Sequence, residues 1–403
     1  MRHKFRYRCL CCNQKKLVKI IDLGLHSFAD RFVPKDKLNI KDPKYPLILD
    51  LCNNCKFIQS RTITNPKNRY LEIDYSYTSS NSKYSREHWI EFANTLDKKT
   101  KIKGKKIIEI GSNDGFLSYQ LKKKGADVLG VDASEFMVKL SQKKINAIQS
   151  IFNYNQSRKI KKIFGNADIV IANNVFNHSD NPLDFLKGVY NLLADDSIFI
   201  FEQPNFSVGV LSLKFDQIYH EHVSYFTARN IKSILDYSNL KILSLTKNHY
   251  HGGSLRTIAA KKKSKLKEIK INKFTNYENK KNIYKATFYQ NMMKKIINKK
   301  VRLLDLLLKL SSRGHAICGI GAAAKSNTFL TFYGLNNNIL KFLTDASKFK
   351  QKKYTPVTRI VIKDDKELIE YNKIACIILS WNISNLIITK IKKLNKKIKI
   401  IYT

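Results

Sequence analysis

Lys106-Ile-Ile-Glu-Ile110, Gly111-Ser-Asn-Asp-Gly115 and the helical run Phe116–Lys124 form the stretch from which the fold can be read. A short apolar segment meets a glycine-bounded turn and opens an amphipathic helix. A second apolar segment, Asp127–Val131, follows with Asp132 at its end, and a helix is expected through Glu135–Lys144. Ala167–Ala172 and Ile198–Phe201 read as further buried strands. Strands alternating with helices in this way predict a parallel, doubly wound sheet, an α/β fold.

The turn itself carries chemistry. Glycines let the backbone bend sharply at the strand end and let a ligand approach the helix N-terminus without a Cβ in the way. Asp114 is suited to an ammonium group. Asp132, about 20 residues on, is placed to bind both hydroxyls of a ribose. The full G-x-G-x-x-G spacing of a pyrophosphate-binding dinucleotide site is absent. Gly111, Asn113, Asp114, Gly115 and Asp132 therefore suit an adenosyl cofactor with an amino-acid tail, S-adenosylmethionine, and the competing reading is an ordinary βα turn. Asn173-Asn174-Val-Phe-Asn177-His178 follows the Ala167–Ala172 strand, which puts Asn173 and His178 at the C-terminal edge of the sheet, where open α/β folds bind ligands.

Working outward, helical periodicity runs from Tyr277 to Arg313. Strand patterns then recur at Ala316–Ile320, Ile339–Thr344, Ala375–Leu379 and Ile398–Tyr402, a second and smaller α/β unit. Lys261–Lys273 reads as a solvated connector. Toward the N-terminus, five of the seven cysteines fall within the first 55 residues. Cys9-x-x-Cys12 and Cys52-x-x-Cys55 can offer four thiolates to a tetrahedral zinc ion, and a saturated shell of that kind is structural. Cys11 is an alternative to Cys12, but the spacing favours Cys12. The segment is too small to hold a core alone, and a metal would help it fold.

The chain has 403 residues and a formal charge of +42, with 43% hydrophobic residues. Its length allows two or three domains. The lysines are spread along the chain rather than gathered on one element, so the charge reads as compositional drift and not as a nucleic-acid footprint. No run of about 18 uncharged apolar residues occurs, so no membrane span is expected. Without an apolar stretch behind Met1, the default expectation is a cytoplasmic protein.

Three further motifs stand out. Phe215-Asp-Gln-Ile-Tyr219-His-Glu-His222 brings two histidines and an acid together, as metal ligands or as proton-transfer groups. His251-Gly-Gly-Ser-Leu-Arg256 allows close backbone approach, with Arg256 available to an anion, or is a tight turn between strands. Gly319-Ile-Gly321-Ala-Ala-Ala-Lys325-Ser-Asn327 opens a helix after a strand and favours a phosphate, although it is not a Walker loop.

The order of these motifs is more specific than any one of them. With Tyr75-Ser-Tyr77-Thr-Ser79-Ser80, the chain resembles, over roughly residues 9 to 385, the three-domain sugar C-methyltransferases. These put a methyl branch on a deoxysugar carried by a nucleoside diphosphate. The resemblance implies a zinc-binding domain over 1–75, a central Rossmann-like class I methyltransferase domain over 76–260 and a C-terminal Rossmann-like nucleotide-sugar domain over 261–403. It implies His222 as the base, oriented or tuned by Glu221, with Tyr219, His178 and either Tyr75 or Tyr77 beside the substrate. Ser80, His251, Arg256, Lys325 and Asn327 fall on the substrate side, the last two facing the nucleotide. The implied partner is a nucleotide-sugar, with no specific nucleic acid and a monomer or small homo-oligomer. In one place the chain departs from the family: Val357 stands where a glycine is usual, and Arg359-Ile-Val-Ile362 lacks the proline of that segment. Rival readings are an O- or N-methyltransferase acting on a sugar, a zinc-containing nucleic-acid-binding protein and a nicotinamide-dependent sugar enzyme.

Overall fold

The computed structural model describes residues 3–70 and 78–402. Its central sheet contains β1 (Lys106–Ile110), β2 (Asp127–Asp132), β3 (Asn146–Gln149), β4 (Ala167–Ile171), β5 (Leu193–Pro204), β6 (Leu240–Asn248) and β7 (Ser254–Lys261). Among the described residues the strand order is β6-β7-β5-β4-β1-β2-β3. The pairs β1–β2, β2–β3, β1–β4 and β4–β5 are parallel, whereas β7 runs antiparallel to both β5 and β6. Helices cover both faces of the parallel part, which is why β1 and β4 read as nearly continuous apolar runs. The order reverses between β1 and β4, so the crevice beyond their C-terminal ends is where a ligand binds in such sheets. This is a Rossmann-like arrangement with an antiparallel strand, β7, inserted at one side.

Three strands of this sheet, β3, β6 and β7, were not evident from periodicity. The expected helix over Tyr277–Arg313 is two helices, Asn272–Lys280 and Ala286–Ser312, broken where Asn282 adopts a left-handed φ of 57°. The connector is correspondingly shorter, because Lys261 still belongs to β7 and Asn272 already opens a helix.

A C-terminal sheet of parallel strands runs in the order Ile362–Lys363, Phe342–Thr344, Ala316–Ile320, Ile374–Ile378, Lys399–Tyr402. Phe342 starts its strand three residues later than expected, since the N–H groups of Ile339 and Leu340 turn back onto the carbonyl of Asn336. The N-terminal head pairs Leu17–His26, Tyr45–Cys52 and Ile58–Ser60 antiparallel, and a fourth strand, Ser224–Tyr225, comes from the central part of the chain. One apolar cluster runs through Leu47 of the head, Phe206, Tyr289 of the long helix and Leu330 and Ile377 of the C-terminal unit. Among the described residues no helix is long and apolar enough to cross a membrane.

The family departure at Val357 has a backbone reason for a glycine. Val357 sits at φ +64° and Arg359 at φ +53°. The turn is held by Asp42 of the head, which accepts from the Val357 N–H at 2.7 Å and pairs with the Arg359 guanidinium. A β-branched residue in the left-handed region costs about 1–2 kcal/mol. Val357→Gly should therefore raise the melting temperature by roughly 1–3 °C after the added unfolded-state entropy is subtracted. A thermal melt showing no rise would remove this account.

Candidate active site

The β1 turn folds as its glycines require. Gly111 lies at φ +74°, and a Cβ there would meet Val175 Cβ at 2.7 Å. Gly115 lies at φ +72°, where a Cβ would meet Ser141 Cβ at 2.8 Å. Between them Asn113 is also left-handed, at φ +50°. Asp132 fastens the turn: its carboxylate accepts from the N–H of Asn113 at 2.8 Å and of Ser134 at 2.9 Å. Burial raises the Asp132 pKa, and these two N–H groups oppose the rise. Asp114 accepts the hydroxyls of Ser79 and Ser80 and the N–H of Ser80 at 3.2 Å. Ser80, expected on the substrate side, also supports the glycine turn, because the buried Asp114 takes its donors.

Asn173 stands just past β4, across the crevice from Gly111. Its side-chain nitrogen and oxygen are both buried with no hydrogen-bond partner among the described residues. An orphaned amide at a switch point, beside a cradle that a Cβ would fill, fits a polar ligand there. Glu109 was quoted in the sequence motif without a role. Burial pushes its carboxyl up to about 8, with Ser118 opposing through its N–H and hydroxyl and with Asp114 and Asp132 adding to the rise. The signal in the sequence was a lone acid in an otherwise apolar strand.

A carboxyl raised in the folded chain holds its proton more tightly there than when unfolded. Stability therefore falls as pH rises from the ordinary 4.5 toward about 8. Glu109→Gln should flatten melting temperature against pH across that window and stabilise most at its alkaline end. An unchanged slope in thermal melts would show that Glu109 is not the group responsible.

The Tyr219–His222 segment lies where head, central sheet and C-terminal unit meet. His222 is buried, and its Nδ1 lies 3.0 Å from the Gln217 carbonyl oxygen. A carbonyl only accepts, so Nδ1 carries the hydrogen and Nε2 holds the lone pair. Burial lowers the His222 pKa to about 4, with the Gln217 bond opposing. Tyr219 packs 3.9 Å and His178 5.2 Å from the His222 ring, centroid to centroid. His178 is held well below its ordinary value by burial first, then by His222 and Arg69. These three residues are brought together as expected. The Glu221 carboxylate accepts from the N–H of Ala29 at 2.8 Å and of Asp30 at 3.1 Å, and the Gln217 carbonyl meets Nδ1 of His222. Burial pushes Glu221 up to about 7, with Asp30 adding to the rise. Tyr75 and Tyr77 lie outside the described residues.

On the C-terminal side, Lys325 donates to Asn382 and lies 4.3 Å over the Trp381 ring. Burial lowers it to about 8, and Asp216 holds it up. Trp381 Nε1 in turn donates to Asp216 at 2.7 Å. Asn327 Nδ2 donates to the Ala29 carbonyl at 2.5 Å, which leaves its Oδ1 buried without a partner among the described residues. His251 occupies the β6–β7 turn at φ +53°, lowered to about 3 by burial and then by Lys325. Arg256 Nε lies 2.8 Å from Glu202, and its guanidinium stacks 4.4 Å over Phe92. Glu202 is fully buried and also meets His88 at 3.0 Å, a network that residue spacing did not reveal.

In the head, the Sγ atoms of Cys9, Cys12, Cys52 and Cys55 all lie within 4.8 Å of one another. Cys9–Cys55 and Cys12–Cys52 are 3.5 and 3.6 Å apart. A tetrahedral zinc ion with its usual sulfur distances separates its thiolates by about 3.8 Å, so the set fits. Cys11 instead turns its N–H toward Cys9 Sγ at 3.4 Å.

Comparison with known proteins places these features in one frame. Residues 9–70 match a family model described as "Putative zinc binding domain", 82–245 a methyltransferase domain and 249–402 the C-methyltransferase C-terminal domain. The C-methyltransferase NovU of Streptomyces niveus is 23% identical over 378 residues, which is 93% of this chain and 89% of NovU. The chain thus carries the three matched domains in the order zinc-binding, methyltransferase and C-methyltransferase C-terminal, and resembles a C-methyltransferase along nearly its whole length. It is an S-adenosylmethionine-dependent methyltransferase, and its cofactors are S-adenosylmethionine and zinc. A ubiquinone biosynthesis O-methyltransferase of Coxiella burnetii is 23% identical over 169 residues, 39% of this chain and 72% of that protein. Among solved structures, magnesium protoporphyrin IX methyltransferase of Synechocystis PCC 6803 with bound SAH aligns with a TM-score of 0.36 and 19% identity, over 44% of this chain and 83% of that one.

Proposed function

We propose that the enzyme methylates a carbon next to a ketone on a nucleoside-diphosphate-linked deoxysugar, with His222 as the base. The observation that carries this reading is the buried, neutral His222, whose Nδ1 is tied to Gln217 and whose Nε2 keeps its lone pair. A carbon beside a ketone is acidic because its enolate spreads charge onto oxygen, and an imidazole of this kind can take the proton. Tyr219 and His178 are placed to donate to the developing oxyanion. Bound S-adenosylmethionine supplies an electrophilic methyl. Asn173, Asp114 and Asp132 hold it at the β1–β4 crevice, and fixed approach of carbon to methyl supplies much of the rate.

In this reading the chain divides at 1–75, 76–260 and 261–403. Lys325, with Asn327 and His251, faces the anionic nucleotide. The four thiolates close a structural zinc shell with no open position. A cytoplasmic location keeps them reduced. The test is mass spectrometry of the protein with S-adenosylmethionine and nucleotide-linked keto-sugars, followed by carbon NMR of the product. A gain of one methylene on carbon supports the reading. A methyl on oxygen or nitrogen, or none with any such acceptor, overturns it.

A further inference from the structure

The residues around His222 are fastened to the zinc head more than to the sheet that precedes them. His220 Nε2 meets the carbonyls of His26 at 3.2 Å and Tyr45 at 3.1 Å, and its ring packs edge-on against Phe28 and Tyr45. Glu221 takes the N–H groups of Ala29 and Asp30. Ser60 N–H donates to the Val223 carbonyl at 2.8 Å, and Ser224 and Tyr225 then pair with Gln59 and Ile58. His220, Glu221, Ser224, Tyr225 and the Val223 carbonyl are thus anchored in the head, whereas the Val223 N–H donates to the Asn177 carbonyl at 2.8 Å and His222 and the Tyr225 hydroxyl bond to carbonyls within 217–219.

The metal knuckle sits at the other end of the same short path. Lys56 N–H closes the knuckle on Cys52, and Phe57 packs against Phe226 with ring centroids 5.9 Å apart. The strand Ile58–Ser60 that receives Ser224–Tyr225 begins three residues after Cys55. Asn230 Nδ2 donates to the Lys56 carbonyl at 2.5 Å, and Ser233 reaches the Cys55 carbonyl at 3.4 Å. A knuckle that loses its metal loses the geometry of the strand next to it.

We propose that the four-cysteine centre and His220 form a positioning device for His222, so that metal in the head sets the geometry of the proton-abstracting segment while leaving the adenosyl-cofactor turn intact. This rests on the reading of His222 as the base. His220 is a positioning residue here: both of its recorded bonds go to head carbonyls, and it acts only through the peptide that carries His222.

Hydrogen–deuterium exchange resolved by mass spectrometry tests this without any acceptor. Metal is removed from the full chain with a chelator, and separately His220→Leu is prepared with its metal retained. In both, amides of residues 219–226 should exchange at least about tenfold faster. Amides of 107–132 should keep their protection, and affinity for S-adenosylhomocysteine should stay within about twofold. Unchanged protection of 219–226 in the metal-free chain overturns the coupling, and unchanged protection in His220→Leu overturns the clip. A metal-free chain that unfolds throughout, with 107–132 exposed as well, overturns the selective action of the metal on 219–226, and His220→Leu still decides the clip. A His222→Ala protein that still methylated its acceptor would remove the base reading yet leave the exchange result standing, so the two failures are distinct.

Discussion

His222→Ala should bind S-adenosylhomocysteine as the unsubstituted chain does and transfer methyl groups about 10²–10⁴-fold more slowly, the range a positioned general base contributes. The asymmetry follows from where the residue sits. The imidazole is anchored to the Gln217 carbonyl and packs on Tyr219 and His178, whereas the glycine turn is fastened by Asp132, Ser79 and Ser80. Among the described residues the turn has fasteners of its own in Asp132 and Asp114, so removing the ring leaves those bonds in place. Deuterium uptake at the acidic carbon should vanish together with methyl transfer, since both need the proton removed. A pH profile gives a second check. Burial holds His222 near 4, so the base stays unprotonated far below the ordinary histidine range, and the acid limb of kcat/KM should fall near that value. An acid limb at the ordinary 6.5, or full methylation by the alanine variant, would exclude His222 as the base.

Gly111→Ala should have the opposite signature, with affinity for S-adenosylhomocysteine falling at least about 30-fold, or roughly 2 kcal/mol, and the base chemistry intact once cofactor saturates. Two independent strains combine there. The backbone stands at φ +74°, and the added Cβ would lie 2.7 Å from Val175 Cβ. Neither can relax cheaply, because the Gly111 N–H is fixed to the Val131 carbonyl at 2.7 Å and Val175 follows the crevice residue Asn173. Val175→Ala in the same chain should recover part of the affinity by removing the clash, leaving the left-handed cost of about 1–2 kcal/mol. Calorimetric titration of the single and double variants measures both parts. Equal affinity in Gly111→Ala and the parent would show that the turn does not cradle the cofactor.

Much of this was legible in the residues. The glycine turn could be read because its requirement is local: a strand end, a positive φ and a helix start within ten residues. The cysteine pairs could be read because knuckle spacing limits which thiolates meet. His178, Tyr219 and His222 were recognisable from the order of motifs, and the structure gathers them. The partners of the charged residues were not legible. Arg256 reads as available to an anion, and β5 and β7 pair so that Glu202 stands directly opposite it. Ser80 reads as a substrate contact, and Asp114 also takes its hydroxyl. The turn of the β6–β7 hairpin was open as one reading of His251–Arg256, but its strands were not, because their residues mix apolar and lysine positions without clean alternation.

By itself the sequence determined the elements that depend on neighbours along the chain: the parallel strands and their turn, the two C-x-x-C knuckles and the helix starts. Tertiary structure decided what each buried polar group would meet. Glu221 finds the amides of Ala29 and Asp30, about 190 positions away along the chain, and the Gln217 carbonyl meets Nδ1 of His222. The reason is desolvation. A carboxyl or imidazole taken out of water must use whatever donor or acceptor the packing brings within about 3 Å, and packing between distant segments is not written in residue spacing.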